Sequence, residues 1–102
     1  INRNLHKMGK YPAPVNLSFG SDNRTCAIRI PKVGDSEDSQ IKYGQRIEYR
    51  VAAANADPYI VMKLLLDAIL QGIHDDLTPE NCGFEKVYGN AFDEQYDLKS
   101  LF

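Results

Sequence analysis

The sequence predicts a small α+β domain in which one long helix covers an antiparallel sheet. Three short segments alternate between polar and apolar residues, as half-buried strands do, and one longer apolar segment follows them. A chain of 102 residues allows a single core, so residues 1–102 are taken as one domain. The longest apolar stretch, residues 59–70, contains two charges and is too short to span a bilayer. Together with two widely separated cysteines, this favours a soluble, cytoplasmic protein with no membrane partner.

The predicted strands follow a polar lead-in at residues 1–14. They cover residues 15–19, 24–30 and 45–52. A turn at residues 21–23 separates the first two strands, and Pro31 ends the second. Cys26 shares a face of the second strand with two isoleucines, which indicates a core position rather than a nucleophile. A long polar loop over residues 32–44 leads to the third strand.

A helix is predicted over residues 58–74. Asp57 is a favourable N-cap residue, and Pro58 suits the first helical turn. Apolar residues occupy nearly the whole circumference of this helix, apart from a narrow polar stripe of Lys63, Asp67 and Gln71. Three strands cannot cover both sides of such a helix, so a partner or the rest of its own chain must do so. Residues 75–102 lose periodicity and are expected to form an irregular, acidic tail.

The arginines of this chain all lie in its first half. Residues 1–50 carry nine Lys and Arg against five Asp and Glu, whereas residues 51–102 carry three against nine. The arginines are at positions 3, 24, 29, 46 and 50. Guanidinium groups bind phosphate and carboxylate bidentately, so small anionic ligands are favoured. Nucleic acid is not expected, because the basic residues form no continuous stripe with interleaved aromatics.

The third strand is the most informative segment for chemistry. It places Arg46, Glu48 and Arg50 on one face, because side chains two residues apart on a strand point the same way. This row is either a solvated, salt-bridged surface or a site in which Glu48 binds a divalent cation between anion-binding arginines. Arg24 and Arg29 add two guanidinium groups, but their odd separation puts them on opposite faces unless Arg24 lies in the turn.

Four segments then occur in a specific order and spacing. They are NRTCAIRIP (23–31), RIEYR (46–50), NADPY (55–59) and LQGI (70–73). Together they resemble the C-terminal part of the catalytic domain of glutamine synthetase. The resemblance covers residues 14–74 and continues more loosely through YGNAFDEQYDL in the tail. Thr25 and Asp57 stand where that family usually has serine and asparagine.

The resemblance implies a role for each charged residue of the predicted site. Arg24, as a catalytic residue, and Arg29 would contact the nucleotide phosphates and the transferred phosphoryl group, and Arg46 would also face the nucleotide. Glu48 would ligate Mg²⁺ or Mn²⁺, and Arg50 would bind the α-carboxylate of glutamate. The implied reaction is ATP-dependent: glutamate is phosphorylated on its side chain, and ammonia then displaces phosphate to give the amide.

The resemblance also implies that the chain is a C-terminal fragment of this domain and is inactive alone. The N-terminal part of its own chain would complete the site, and the whole protein would form a ring-like homo-oligomer. Two alternatives stay open. One is a ligase of the same superfamily that joins glutamate to an amine or polyamine, and the other is a non-catalytic binding or assembly module.

Overall fold

The computed structural model describes residues 13–32 and 44–101. The predicted lead-in up to residue 12 and the predicted loop over residues 33–43 lie outside the described residues. The regular elements are strands β1 (Ser18–Ser21), β2 (Ile28–Ile30), β3 (Glu48–Tyr49) and β4 (Glu85–Lys86), helix α1 (Pro58–His74), and two 3₁₀ helices (Glu80–Cys82 and Glu94–Tyr96). The four strands form one sheet in the order β3-β2-β1-β4.

The sheet is mixed, so the α+β class is confirmed but the prediction of an antiparallel sheet is wrong. Among the four strands of the described residues, β2 and β3 pair antiparallel, whereas β1 runs parallel to both β2 and β4. Instead of forming a hairpin, residues 22–27 return to the start of β1, where the amide N–H of Ala27 donates to Ser18 Oγ at 3.1 Å. Parallel strands usually need a longer connection. Here side-chain hydrogen bonds hold the short one in place.

The C-terminal segment, residues 75–101, is part of the fold rather than an irregular tail. It supplies β4, which pairs with β1, and the fully buried Val87. Val87 packs with Cys26 and Ala91 to form the buried core cluster. The core position predicted for Cys26 is therefore confirmed, and burial raises the pKa of its thiol.

The two faces of the sheet differ in chemistry. The apolar side chains of alternate strand residues lie towards α1, where they line a cavity of about 380 Å³ between sheet and helix. These residues are Phe19, Ile28, Ile30 and Ile47. The register pairs Arg29 with Glu48, one position out of phase with this set, so both project from the opposite face. The predicted separation of the strand isoleucines from the charged residues is therefore found, but Cys26 packs with Val87 and Ala91 rather than beside Ile28 and Ile30 as predicted.

Helix α1 has the predicted bounds. Asp57 is its N-cap, and Asp57 Oδ1 accepts a hydrogen bond from the Tyr59 N–H at 3.0 Å. The helix covers the sheet only in part, because none of its residues is buried and Ile73 is 73% exposed. Among the described residues, no helix is long and apolar enough to cross a membrane.

Candidate functional site

Arg29 lies at the centre of the charged face, on the middle of β2. Its neighbours in the sheet are Gly20 on β1 and Glu48 on β3. Arg29 Nη1 donates to Glu48 Oε1 at 2.9 Å, and Arg29 Nη2 donates to Asp22 Oδ1. The Arg29 side chain is only 12% exposed. One guanidinium group is thus held between two carboxylates, one on β3 and one in the turn that follows β1.

The charges in this arrangement stabilise one another. Hydrogen bonding to the Arg29 guanidinium lowers the pKa of Glu48 and of Asp22 below their usual values. The same hydrogen bonds, first with Glu48 and then with Asp22, raise the pKa of Arg29. All three groups are therefore ionised at neutral pH.

Arg46 and Arg50 flank Glu48 along the third strand segment. The positive charges of both lower the pKa of Glu48 further, as expected if the three side chains share a face. Arg46 Nη1 donates to the Gly44 carbonyl at 3.2 Å. Arg50 Nη1 is buried and has no hydrogen-bond partner among the described residues. A buried guanidinium N–H without an acceptor is costly, so this group indicates a ligand or a further chain segment that accepts it.

Arg24 lies in the turn between β1 and β2. From the sequence, Arg24 and Arg29 were expected on opposite faces unless Arg24 lay in this turn. Together with Asp22 it lines a polar cleft, and Tyr88 and Asn90 of the C-terminal segment form the opposite wall. The positive charge of Arg24 contributes to the lowered pKa of Asp22. A row of charged side chains of both signs therefore lies on this face of the sheet and in the adjoining turn. We call it the arginine row, and its members are Arg24, Asp22, Arg29, Glu48, Arg46 and Arg50.

The turn that carries Arg24 is fastened to the C-terminal segment by the residues on either side of it. Asn23 Nδ2 donates to the carbonyls of Val87 at 3.0 Å and Gly89 at 2.7 Å. Asn23 Oδ1 accepts from Thr25 Oγ1 at 2.6 Å, and that hydroxyl accepts from the Ala91 N–H at 2.9 Å. The substitution of threonine for serine at residue 25 keeps the hydroxyl that makes these bonds.

Asp22 was interpreted from the sequence as a turn residue only, and its ion pair with Arg29 was missed. The turn position is correct, since Asp22 has a positive φ of 50°. The ion pair depends on the parallel register of β1 and β2, which the sequence pattern did not indicate.

The chemistry of this site favours anions. The arginine row contains four guanidinium groups and two carboxylates, so it carries an excess of positive charge. No group of three or more His, Cys, Asp or Glu side chains within residues 13–32 and 44–101 could hold a metal ion. Glu48 has the hard oxygen donors that Mg²⁺ and Mn²⁺ prefer. It fits such an ion as one ligand of a set that the described residues do not complete.

The family model of the glutamine synthetase catalytic domain matches residues 7–101. The chain belongs to the glutamine synthetase family.

Relatives of this member of the glutamine synthetase family include glutamine synthetases and a gamma-glutamylputrescine synthetase. Gamma-glutamylputrescine synthetase of Escherichia coli K12 is 39% identical over 82 residues, which are 80% of this chain and 15% of the relative. Glutamine synthetase of Aquifex aeolicus is 38% identical over 91 residues, which are 89% of this chain and 16% of the relative. The Pyrococcus furiosus glutamine synthetase is 32% identical over 98 residues, which are 96% of this chain and 21% of the relative. The chain thus spans about a fifth or less of these relatives, and no solved structure matches it.

Proposed function

We propose that this chain is the C-terminal piece of an ATP-dependent glutamate–ammonia ligase that works through γ-glutamyl phosphate, and that the piece is inactive alone. The observation that carries the proposal is the Arg29–Glu48 pair within the arginine row of a chain from the glutamine synthetase family. Glutamine synthetases are ligases, and the family uses ATP and divalent metals. Residues 1–102 form a single part of one catalytic domain in this proposal.

The arginines on both sides of the carboxylates bind the phosphates in this proposal. Arg24, Arg29 and Arg46 contact the nucleotide and the phosphoryl group in transfer, and Arg24 acts as the catalytic residue. Phosphoryl transfer depends on positioning and on neutralisation of charge over the transferred group, which guanidinium groups supply. The support is the excess positive charge of the row and the low exposure of the Arg29 side chain.

Glu48 is the proposed ligand for Mg²⁺ or Mn²⁺. Its lowered pKa keeps the carboxylate ionised and able to coordinate a cation. When bound, the cation would neutralise phosphate oxygens. Glu48 alone cannot retain it, because the described residues offer no three-ligand cluster. The remaining ligands come from the N-terminal part of the same chain, which explains why we expect the piece to be inactive alone.

Arg50 is the proposed binding residue for the α-carboxylate of glutamate. Its buried Nη1 lacks a hydrogen-bond acceptor among the described residues. A substrate carboxylate would accept from it in the bidentate geometry that guanidinium groups favour.

The exposure of helix α1 supports a larger assembly. Its outward side chains include Leu70, which is 64% exposed, although most of the helix is apolar. We propose that the rest of the chain and further copies in a ring-like homo-oligomer cover this surface, and that the protein works in the cytoplasm. The match to relatives that are five or more times longer supports a larger protein.

A second candidate is a ligase that joins glutamate to an amine or polyamine. The relative that favours it is the Escherichia coli enzyme named gamma-glutamylputrescine synthetase, at 39% identity. Both candidates share the phosphoryl-transfer step, so the arginine row serves either. They differ in the acceptor, which the described residues do not define.

The test is an assay of the full-length protein for ATP-dependent phosphate release, with glutamate and either ammonia or putrescine. We expect turnover with ammonia, and we expect Glu48→Ala to lower it by about a hundred-fold or more, as for loss of a group that stabilises transition-state charge. Glu85→Ala is the matched control, since Glu85 lies in a strand but is exposed. Turnover with putrescine alone would select the second candidate. Absence of turnover with either amine would favour a non-catalytic module.

A further inference from the structure

Asp22 is a charged residue of the site to which the proposed reaction assigns no task. It precedes the NRT segment that carries the family resemblance, and it follows the end of β1. Its amide N–H donates to the Ile30 carbonyl at 2.7 Å, which fixes the backbone of Asp22 beside β2. Its side chain bonds Arg29 Nη2. Asp22 is therefore attached to β2 twice, through a backbone hydrogen bond to Ile30 and through an ion pair with Arg29.

Asp22 reaches Arg29 from the turn that follows β1. The neighbour of Arg29 on β1 is Gly20, and β1 ends at Ser21. Asp22 then has a positive φ of 50°, and its side chain pairs with the Arg29 guanidinium group. On the other side of Arg29 the neighbouring residue is Glu48. The two carboxylates thus bond different terminal nitrogens of the guanidinium group, one from β3 and one from the turn after β1.

We propose that Asp22 is a positioning residue that, together with Glu48, fixes the guanidinium plane of Arg29 for phosphoryl transfer. The inference rests on the proposed function and adds to it a residue that does not touch the substrate. One carboxylate leaves a guanidinium group free to pivot about a single hydrogen bond. Two carboxylates on different terminal nitrogens define its plane, and the remaining N–H donors then point in fixed directions.

Asp22 also separates two positive charges. Arg24 lies in the turn next to it, and the charge of Arg24 acts on the Asp22 carboxylate. With a neutral residue at position 22, Arg24 and Arg29 would repel each other without an intervening negative charge. This repulsion and the weaker hydrogen bond would both act against the fixed orientation of Arg29.

The test compares Asp22→Asn, Asp22→Glu and Asp76→Asn in the full-length protein. Asp76 is the matched control, because it has a φ of 51° against 50° for Asp22 and makes no ion pair within residues 13–32 and 44–101. Asparagine tolerates this left-handed backbone conformation as well as aspartate does. Asp76→Asn therefore removes one charge from the same backbone geometry without touching Arg29.

We expect Asp22→Asn to lower kcat about ten-fold, less than the loss of a direct transition-state donor, because its amide oxygen still accepts from Arg29. The KM for ATP should stay within about two-fold, since a positioning residue affects the transition state more than ground-state binding. Asp22→Glu should recover part of kcat, and Asp76→Asn should match the unmodified protein. A kcat for Asp22→Asn within two-fold of the unmodified protein would overturn the proposal. An equal fall in the kcat of Asp76→Asn would also overturn it. So would a lower unfolding temperature of Asp22→Asn with its kcat preserved.

A second measurement does not depend on turnover. A crystal structure of full-length Asp22→Asn should show the Arg29 side chain in more than one orientation, with the 2.9 Å contact to Glu48 lost in at least one of them. A single, unchanged orientation of Arg29 would overturn the proposal. If the unmodified protein shows no ATP-dependent turnover with any amine, the proposed function fails, whereas this structural comparison still decides whether Asp22 orients Arg29.

Discussion

A single methyl group added at Gly20 should loosen the contact between the sheet and the C-terminal segment. A Cβ at this position would lie 2.6 Å from the Val87 carbonyl oxygen, 2.9 Å from the Asn23 Cβ and 3.3 Å from the Cys26 Sγ. Ordinary contact begins at 3.4 Å, so the backbone at Val87 would have to move by about 0.8 Å. The oxygen belongs to the main chain, and Asn23 donates to it, so neither partner can give way independently.

The size of the effect follows from two opposing terms. Overpacking of a closely packed site costs about 1–3 kcal/mol. Replacing glycine by alanine restricts the unfolded chain and returns about 0.4–1 kcal/mol. Because the closest atom is backbone, we place Gly20→Ala near the upper end of the first range and expect a net loss of about 2 kcal/mol.

Hydrogen exchange followed by mass spectrometry in the full-length protein measures this loss locally. The Val87 N–H donates to the Phe19 carbonyl at 2.9 Å, so its exchange reports the opening of this contact. A loss of about 2 kcal/mol corresponds to exchange about thirty-fold faster. Gly72→Ala is the control, because a Cβ there meets nothing within 4 Å and alanine favours the helix by about 1 kcal/mol. Unchanged exchange over residues 84–91 in Gly20→Ala, or equal acceleration in Gly72→Ala, would refute the reasoning.

Three further predictions concern other contacts of the fold. Arg29→Gln should weaken the acid dependence of stability, because the pKa values of Asp22 and Glu48 are lowered by Arg29. These carboxylates stabilise the fold while ionised, and they lose that contribution to stability as the pH falls below about 4.5 through their pKa values. Acid titration followed by circular dichroism checks the sign. Asn23→Ala should cost about 2 kcal/mol through its lost hydrogen bonds to the C-terminal segment, whereas Asn81→Ala, at an exposed site, should cost little in the same denaturation experiment. In the native protein a thiol reagent should label Cys82 and spare the buried Cys26, as peptide mapping would show; labelling of Cys26 first would contradict the packing described.

The features that the sequence predicted well are those encoded by neighbouring residues. The bounds of α1 depend on Asp57 and Pro58, whose capping and backbone preferences act within one turn. The separation of Ile47 from Glu48 onto opposite faces follows from strand alternation alone. The shared face of Arg46, Glu48 and Arg50 was predicted for the same reason.

The features that it did not predict depend on residues far apart in the chain. The parallel pairing of β1 and β2 is held by the bonds from Asn23 to the carbonyls of Val87 and Gly89, which lie more than 60 positions away. Strand β4 has only two residues, too few for any alternation to appear. The ion pair of Asp22 could not be predicted because it requires that parallel register.

The bonds between the turn and the C-terminal segment have a consequence for how this region can vary. Asn23 and Thr25 reach main-chain atoms there: two carbonyls and the Ala91 N–H. Every amino acid provides the carbonyls, and every one except proline provides the N–H, so many side-chain replacements at these positions leave the bonds available. Insertion or deletion of a residue between 87 and 91 shifts the acceptors out of reach. These bonds therefore restrict the length of the segment, whereas packing restricts its residue identities, because Val87 and Ala91 are buried and a Cβ at Gly89 would lie 2.5 Å from Tyr96 Oη.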